Sequence, residues 1–466
     1  MINISKEQFE ENIKSKKVFS IISEFRGDEI TPITLFKALD GERKFILESG
    51  CKENRFGRYS YLGDSPYKEV IGETLQDILT IKKETQIDFD NKSNKFSFKG
   101  GAIGYMGYDT IALYEKKLKL NNYDELDIPT IRFNFYKRYI CYDHFTHKVY
   151  VVDNVFPNNK CQYEEVIGGQ REYFNKLINK PIKYDKELEK KVIKIKLGTT
   201  KEEYMKKVDR AKDYIKKGDI FQVVPSQRMY CKTEKSPLEI YRSLREGNPS
   251  LYMFFLDYYS YQVIGSSPER LVAVKGRKVM TNPIAGTRKR GRSKHEDLKL
   301  EEELINDEKE RAEHVMLVDL GRNDIGKVSE VGTVEVKDFM KIERFSHVMH
   351  ITSQVVGVLR KNKDAFDALA SCLPAGTLSG APKIRAIEII EELEDKKRGI
   401  YGGAVGYFSY GGDMDMCIAI RTLVLRDKIA YLQSGGGVVY DSDSEKEFEE
   451  TQNKLMALKE ALRWLY

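Results

Sequence analysis

Four glutamates in two pairs carry a strong chemical signal. Glu310 and Glu313 stand three residues apart after Asn306 and Asp307, and Glu447 and Glu450 stand three apart after Ser444. Positions i and i+3 share a helix face. Two such faces brought together would set four carboxylates around one point, which suits a hard, oxygen-seeking cation such as Mg²⁺. Acids also belong in a helix's first turn, and Asp307 with Glu310 and Ser444 with Glu447 fit capping boxes. Each pair alone is open to both readings. The stretch Gly376 to Lys383 adds an anion site: its glycines, Thr377 and Ser379 make a turn whose N–H groups converge. Pro382 then suits the start of a helix with apolar Ile384, Ile387 and Ile390. Without the Gly-Lys-Ser/Thr ending of a nucleotide loop, a carboxylate fits better than a triphosphate.

Other residues extend the list. His350, in a strand-like run, could move protons near neutral pH or be a hydrogen-bonded core residue. Arg421 interrupts the apolar run Met416 to Leu425, and needs an anionic partner if buried or solvent if on an edge. Glu269 follows Pro268 and is a general acid if desolvated, an exposed turn residue if not. Gly435, Gly436 and Gly437 permit close backbone approach just before the second acidic pair. The basic run Thr287 to Lys294 is a nucleic-acid hint, but it lacks aromatic residues and an acidic block follows, so it reads as a solvated loop. Gly101 to Gly107 has the wrong spacing for a dinucleotide fingerprint.

The elements that must position these groups come next. The chain has 466 residues, 41% hydrophobic and 32% charged, with a net charge of +6. That supports a large core and excludes global disorder. Six scattered cysteines without Cys-x-x-Cys spacing, and no leader or membrane-length apolar run, predict a soluble, reduced, cytoplasmic protein. Arg138 to Asp143 and Lys148 to Asp153 flank a polar turn as a hairpin, and Lys44 to Ser49 and Arg58 to Leu62 read as strands. A helix is expected over 161–178. The charged stretch Lys180 to Lys196 predicts a boundary between an N-terminal region, 1–190, and a C-terminal domain, 195–466. Thr200 and Glu203 form a capping box for a helix with an apolar face of Tyr204, Val208, Ala211 and Ile215, ending at Gly218. Tyr401 to Tyr410, Met416 to Leu425 and Ile429 to Val439 read as three strands with short turns, hence antiparallel neighbours. No strand–helix–strand repeat is present. The expectation is an α+β protein with large antiparallel sheets in a sandwich-like core flanked by helices.

Several segments together resemble the chorismate-utilising enzymes, most closely their anthranilate-forming members. They are Gly218 to Arg228, Gly265 to Arg270, Pro283 to Arg288, Glu310 to His314, Asp319 to Asp324, Val348 to His350, Gly376 to Lys383, Tyr401 to Tyr407, Ile420 to Thr422, Gly435 to Val439 and Glu450 to Lys454. Their order and spacing match the family from about residue 200 onward. Ile46 to Ser49 and Gly57 to Gly63 match it more loosely. The resemblance implies a Mg²⁺-dependent conversion of chorismate and ammonia to anthranilate and pyruvate, the first step of tryptophan biosynthesis. It implies that Glu313 and Glu450 bind Mg²⁺ directly, with Glu310 and Glu447 acting through water. Gly286, Thr287, Thr377, Tyr401, Arg421 and Gly435 to Gly437 would line the chorismate site. Glu269 would protonate the departing 4-hydroxyl, and His350 would serve the later loss of pyruvate.

Two positions divide the family. Relatives that add water carry a lysine base where this chain has Gln222. Many 4-amino-4-deoxychorismate synthases carry a lysine nucleophile where it has Ala285. An amide and a methyl can do neither job, which points to ammonia as direct nucleophile. Component I of a 4-amino-4-deoxychorismate synthase and an inert regulatory paralogue remain the rival readings. No glutaminase triad is recognisable, so the resemblance implies a separate glutamine amidotransferase subunit, component II, as ammonia source. Neither nucleic acid nor membrane is an expected partner. Ser49 matches the family's inhibitor motif, and Leu251 stands where that motif's second wall has proline. The resemblance places tryptophan among Ser49, Leu251, Tyr252 and Met253, with Val405 and Tyr407 on the far side.

Overall fold

Alternation builds the first half of the chain into strands. In Arg138–Asp143, Tyr139 and Cys141 face one side while Ile140 and Tyr142 face the other, as a pleated strand requires. A computed structural model describes residues 1–50, 57–157, 161–181, 195–344 and 348–463. Every ladder between its described strands is antiparallel. One sheet runs Phe19–Arg26, Lys148–Val155, Arg138–Asp143, Tyr59–Gly63, Phe45–Glu48, Tyr252–Asp257, Tyr261–Ser267, Thr422–Arg426, Ile429–Gly435, Ser226–Lys232, Lys196–Leu197. The other runs Ile284–Lys289, Val348–Val358, Lys278–Thr281, Arg270–Lys275, Met414–Ile418, Ala404–Ser409, Gly101–Met106, Ile131–Tyr136, Lys68–Gly72, with Glu335–Arg344 also paired to Val348–Val358.

The two sheets face each other across a core rich in aromatics, including Tyr61, Phe98, Tyr105, Tyr139, Phe254 and Tyr261. Helices Pro32–Ala38, Tyr163–Ile178, Pro237–Gly247 and Met456–Leu462 cover the outer face of the first sheet. Leu75–Thr85 and Ala365–Cys372 cover the second. This is the expected α+β sandwich flanked by helices. The boundary expected near residue 190 falls in residues 182–194, outside the described residues. Strands from both sides of it share both sheets: Met253 pairs with Glu48 and Ala404 with Met106. The two regions are therefore one hydrogen-bonded body. The described cysteines Cys141, Cys161, Cys231, Cys372 and Cys417 are free thiols; Cys51, like Ser346 and His347, lies outside the described residues.

Helix Lys201–Lys216 follows its sequence signals, with a Thr200–Glu203 capping box, buried Tyr204, Val208 and Ala211, and Gly218 at φ 80°. Three expectations need correction. Met416 to Leu425 is not one strand but two, Met414–Ile418 and Thr422–Arg426, in different sheets. Helix Ser444–Lys454 is capped by Asp443, whose side chain accepts from Lys446 N–H, so Ser444 is a helical residue and not the cap. The Gly376 to Lys383 turn is divided: Gly376–Ser379 is one helical turn, Gly380–Ala381 pairs with Gln222–Val223, and only then does helix Lys383–Leu393 begin.

A buried ion pair ties these pieces together. Arg398 meets Glu394 at 2.6 Å and donates to the carbonyls of Leu378 and Val224, while Glu394 accepts from Ser226 N–H. Its guanidinium also lies over the rings of Tyr108 and Tyr401. Breaking such a pair leaves a buried charge uncompensated. Arg398→Met is expected to cost about 3–5 kcal/mol, and Arg398→Met combined with Glu394→Leu less than Arg398→Met alone. Urea unfolding of both variants checks that order.

Candidate active site

Two neighbouring strands leave one sheet and enter the other side by side. Tyr261–Ser267 continues through Pro268 and Glu269 into Arg270–Lys275, while Met414–Ile418 continues through Ala419, Ile420 and Arg421 into Thr422–Arg426. The chains stay paired through the crossing: Ser266 N–H donates to Arg421 O (3.1 Å) and Ile418 N–H to Glu269 O (3.0 Å). Gly265 is required here, because a Cβ would stand 2.2 Å from the Phe254 ring. Arg421 adopts a left-handed φ of 47°, rare for a residue with a side chain. Glu269 and Arg421 are thus brought together at the seam.

Burial pushes the Glu269 carboxyl up to about 8, against the pull of a hydrogen bond from Thr377 and of the Lys454 and Arg421 charges. Thr377 Oγ1 donates to Glu269 Oε1 at 3.3 Å. Burial also lowers Arg421, opposed by Glu269, and Arg421 forms no salt bridge among the described residues. Of its two readings, the structure supports the buried arginine.

His350 is set by a bulge. Ala285 pairs with Ile351 and Arg288 with Met349, so Gly286 and Thr287 together oppose His350. Gly286, at φ 65°, supplies the left-handed residue of that bulge. Its carbonyl lies 2.9 Å from His350 Nδ1, with Thr287 Oγ1 at 3.1 Å. A carbonyl only accepts, so Nδ1 carries the proton and Nε2 is the basic nitrogen. Burial lowers the imidazole below its ordinary value, which keeps it neutral.

The glycine run lets backbone approach side chains. A Cβ on Gly435 would stand 3.1 Å from Tyr401 OH, one on Gly436 2.7 Å from Glu447 Oε2, and one on Gly437 2.7 Å from Gln222 Nε2. Gln222, the position of the water-adding relatives' base, therefore lies in the site with its Oε1 buried and unpartnered. Ala285 is buried in its strand.

The four expected metal-binding carboxylates lie within electrostatic reach of one another. Burial, then Glu310 and Glu450, raise Glu313. Burial also raises Glu447, with Glu450 adding to it and Ser442 opposing. Glu447 Oε2 is buried without a partner. Among the described residues no group of three or more such side chains is gathered closely enough to hold a metal ion. Arg288 stands 3.4 Å from Glu310, and Lys454 2.7 Å from Glu450. Oxygen donors, an orphaned buried oxygen and mutual repulsion fit a hard divalent cation. Lys454 was missed as a site residue: its Nζ also donates to Gly435 O at 3.0 Å. Its i+4 spacing from Glu450 was the available signal.

Two arginines of the basic run are paired within the protein. Arg288 meets Asp307 and Glu310, and Arg290 meets Asp297. At the expected inhibitor site, Ser49 Oγ is buried without a partner, and Gly50 N–H donates to Ser250 O. The neighbouring Glu48 is held by Arg245, Tyr241 and Ser60. Strand alternation sends Tyr252 toward Tyr407 between the sheets and Met253 to the helix-covered face. Met253 is 1% exposed, so of the two side chains it is Tyr252 that faces the space between the sheets.

This site belongs to a known class. The family of chorismate binding enzymes matches residues 42–460, and the chain is a member of it, an enzyme acting on chorismate. Within that family the chain is 44% identical to anthranilate synthase component 1 of Acetivibrio thermocellus, covering 96% of each chain. To that of Aquifex aeolicus it is 42% identical, over 99% of this chain and 98% of the other. The solved anthranilate synthase component I of Streptococcus pneumoniae superposes with a TM-score of 0.80 at 38% identity, over 93% of this chain and 98% of that one. The menaquinone-specific isochorismate synthase of Escherichia coli shares the fold, with a TM-score of 0.74 at 17% identity over 98% of each chain.

Glu269 has a stability signature. Its folded carboxyl, near 8, exceeds the ordinary unfolded value, so the folded state holds the extra proton between them. The wild type therefore loses stability as pH rises through that window. Glu269→Gln is expected to match wild type near about pH 4 and to exceed it, by on the order of a few kcal/mol, near about pH 9. Thermal midpoints at the two pH values check this.

Proposed function

We infer that the chain is component I of an anthranilate synthase, converting chorismate and ammonia to anthranilate and pyruvate in tryptophan biosynthesis. The observation that carries this reading is the placing of Glu269 and Arg421 within electrostatic reach of each other at the sheet crossing, in a chain that aligns along nearly its whole length with anthranilate synthase component 1. Chorismate is a dicarboxylate, and Arg421, the Gly435–Gly437 backbone, Tyr401 and Thr377 offer the donors that hold such an anion. Glu269, kept protonated by burial, gives its proton to the departing 4-hydroxyl. Ammonia adds at C2. His350, neutral and with Nε2 as acceptor, takes a proton during the loss of pyruvate and aromatisation. Gln222 and Ala285 supply no competing base or nucleophile at the positions where relatives use lysine.

Glu313 and Glu450, with Glu310 and Glu447 close by, would hold Mg²⁺. When bound, the cation neutralises these carboxylates and receives the ring carboxylate of chorismate. The partner is a glutaminase, component II, which delivers ammonia, and free ammonium substitutes for it. We place this chemistry in the cytoplasm, where free thiols such as Cys141 and Cys231 persist. Incubation with chorismate, Mg²⁺ and ammonium is expected to release fluorescent anthranilate with an equal amount of pyruvate, and chelator or Glu313→Gln to abolish both. Accumulation of 4-amino-4-deoxychorismate without pyruvate would favour the other aminating synthase.

Tryptophan regulation is supported by the unpartnered Ser49 Oγ beside Tyr252. Leu251 replaces a rigid proline in the adjoining wall, which weakens binding. Calorimetry is expected to show tryptophan binding to wild type and none to Ser49→Phe. Turnover insensitive to tryptophan, with no heat from wild type, would remove this site.

A further inference from the structure

Glu269 lines a small cavity that also reaches a second buried carboxyl group. This cavity, of about 40 Å³, is lined by Glu269 and Thr377, by Leu317, Gly321 and Ala375, and by Asp324. Leu317, Gly321 and Asp324 lie on one face of helix Glu308–Gly326, the helix that carries Glu310 and Glu313. From Leu317 to Asp324 the helix rises about 10 Å. A volume of that size holds about three waters, enough to span that length in single file. Asp324 is itself buried, meeting Lys383 Nζ at 2.6 Å and Lys327 Nζ at 3.4 Å. Lys327 is 59% exposed, so this cluster reaches the surface.

An enclosed general acid needs a way to recover its proton. After each turnover Glu269 is left as a carboxylate among Thr377, a hydroxyl that donates hydrogen bonds without ionising, and Arg421, which stays protonated. We propose that the cavity is a proton-supply channel, a file of waters joining the Glu269 carboxyl to the buried Asp324–Lys383 pair, which exposed Lys327 connects to solvent. The inference rests on Glu269 being the acid of the proposed reaction. Glu269 gives its proton to the departing hydroxyl, which leaves as water. The carboxylate then takes a proton from the adjacent water, that water takes one from the next, and solvent beside Lys327 restores the last through Asp324. One proton enters for each one donated. Two carboxyl-bearing side chains, Glu269 and Asp324, line the cavity, which suits proton transfer.

Ala375→Val narrows the wall and Asp324→Asn alters the outer relay at constant shape; neither residue lies in the substrate or metal machinery. At saturating chorismate and ammonium, both are expected to lower kcat about tenfold, leave the chorismate KM unchanged and raise the solvent deuterium isotope effect on kcat above about 2. A kcat that falls without a change in isotope effect, or two variants that behave as wild type, would overturn the channel. So would a raised ammonium KM at unchanged kcat, which would assign the passage to ammonia. Glu269→Gln separates the two layers of the argument. If it turns over normally, the acid assignment fails. If it is inactive while Ala375→Val and Asp324→Asn behave as wild type, the channel alone fails.

Discussion

The paired crossing of two chains from one sheet to the other is the constraint on which the site depends. A strand pair that changes sheets alone would expose its backbone groups at the seam, and buried groups without partners are costly. Crossing together, the two chains satisfy each other through Ser266 and Ile418 N–H. The cost is local: a glycine at 265, where no side chain fits, and a left-handed Arg421. In return, a buried carboxyl and a guanidinium emerge at one fixed point between two sheets. The Gly376–Ser379 turn closes on that point through Thr377.

Successive residues at the crossing serve different neighbours. Glu269 turns to Thr377, while Arg270 reaches Tyr252 OH at 2.6 Å and pairs with Asp415. The acid and the wall expected to meet tryptophan therefore share one stretch of backbone. Arg398 plays a comparable part on the other side, holding Leu378, Val224 and the ring of Tyr401 from beneath. Arg398 is itself enclosed, at 2% exposure.

Much of this was legible in the residues. Capping at Thr200, the Arg138–Lys148 hairpin and the turn-linked antiparallel strands all follow from local periodicity and turn chemistry. Glu269 and Arg421 were legible as types needing a special setting. Their meeting was not, because Met416 to Leu425 keeps its apolar pattern straight through the change of sheet. The pattern reports burial and does not report against which sheet. The motif at Tyr252 and Met253 does not tell that alternation sends the two side chains to opposite faces. Glu450 and Lys454 carried a helical spacing that reads equally as a surface pair, and only the Gly435 carbonyl beside Lys454 distinguishes it.

The interleaving of the sheets has a consequence for the life of the chain on the ribosome. Strand Gly101–Met106 lies between Ile131–Tyr136 and Ala404–Ser409, and Met106 faces Ala404. One edge of that early strand must wait for roughly 300 further residues, about 15–60 s at ordinary rates of synthesis. The Phe45–Glu48 strand likewise waits for Tyr252–Asp257. Both are apolar and β-prone, and an unpaired edge of that kind is a template for a neighbouring nascent chain. Completion of both sheets therefore waits until the last strands have emerged.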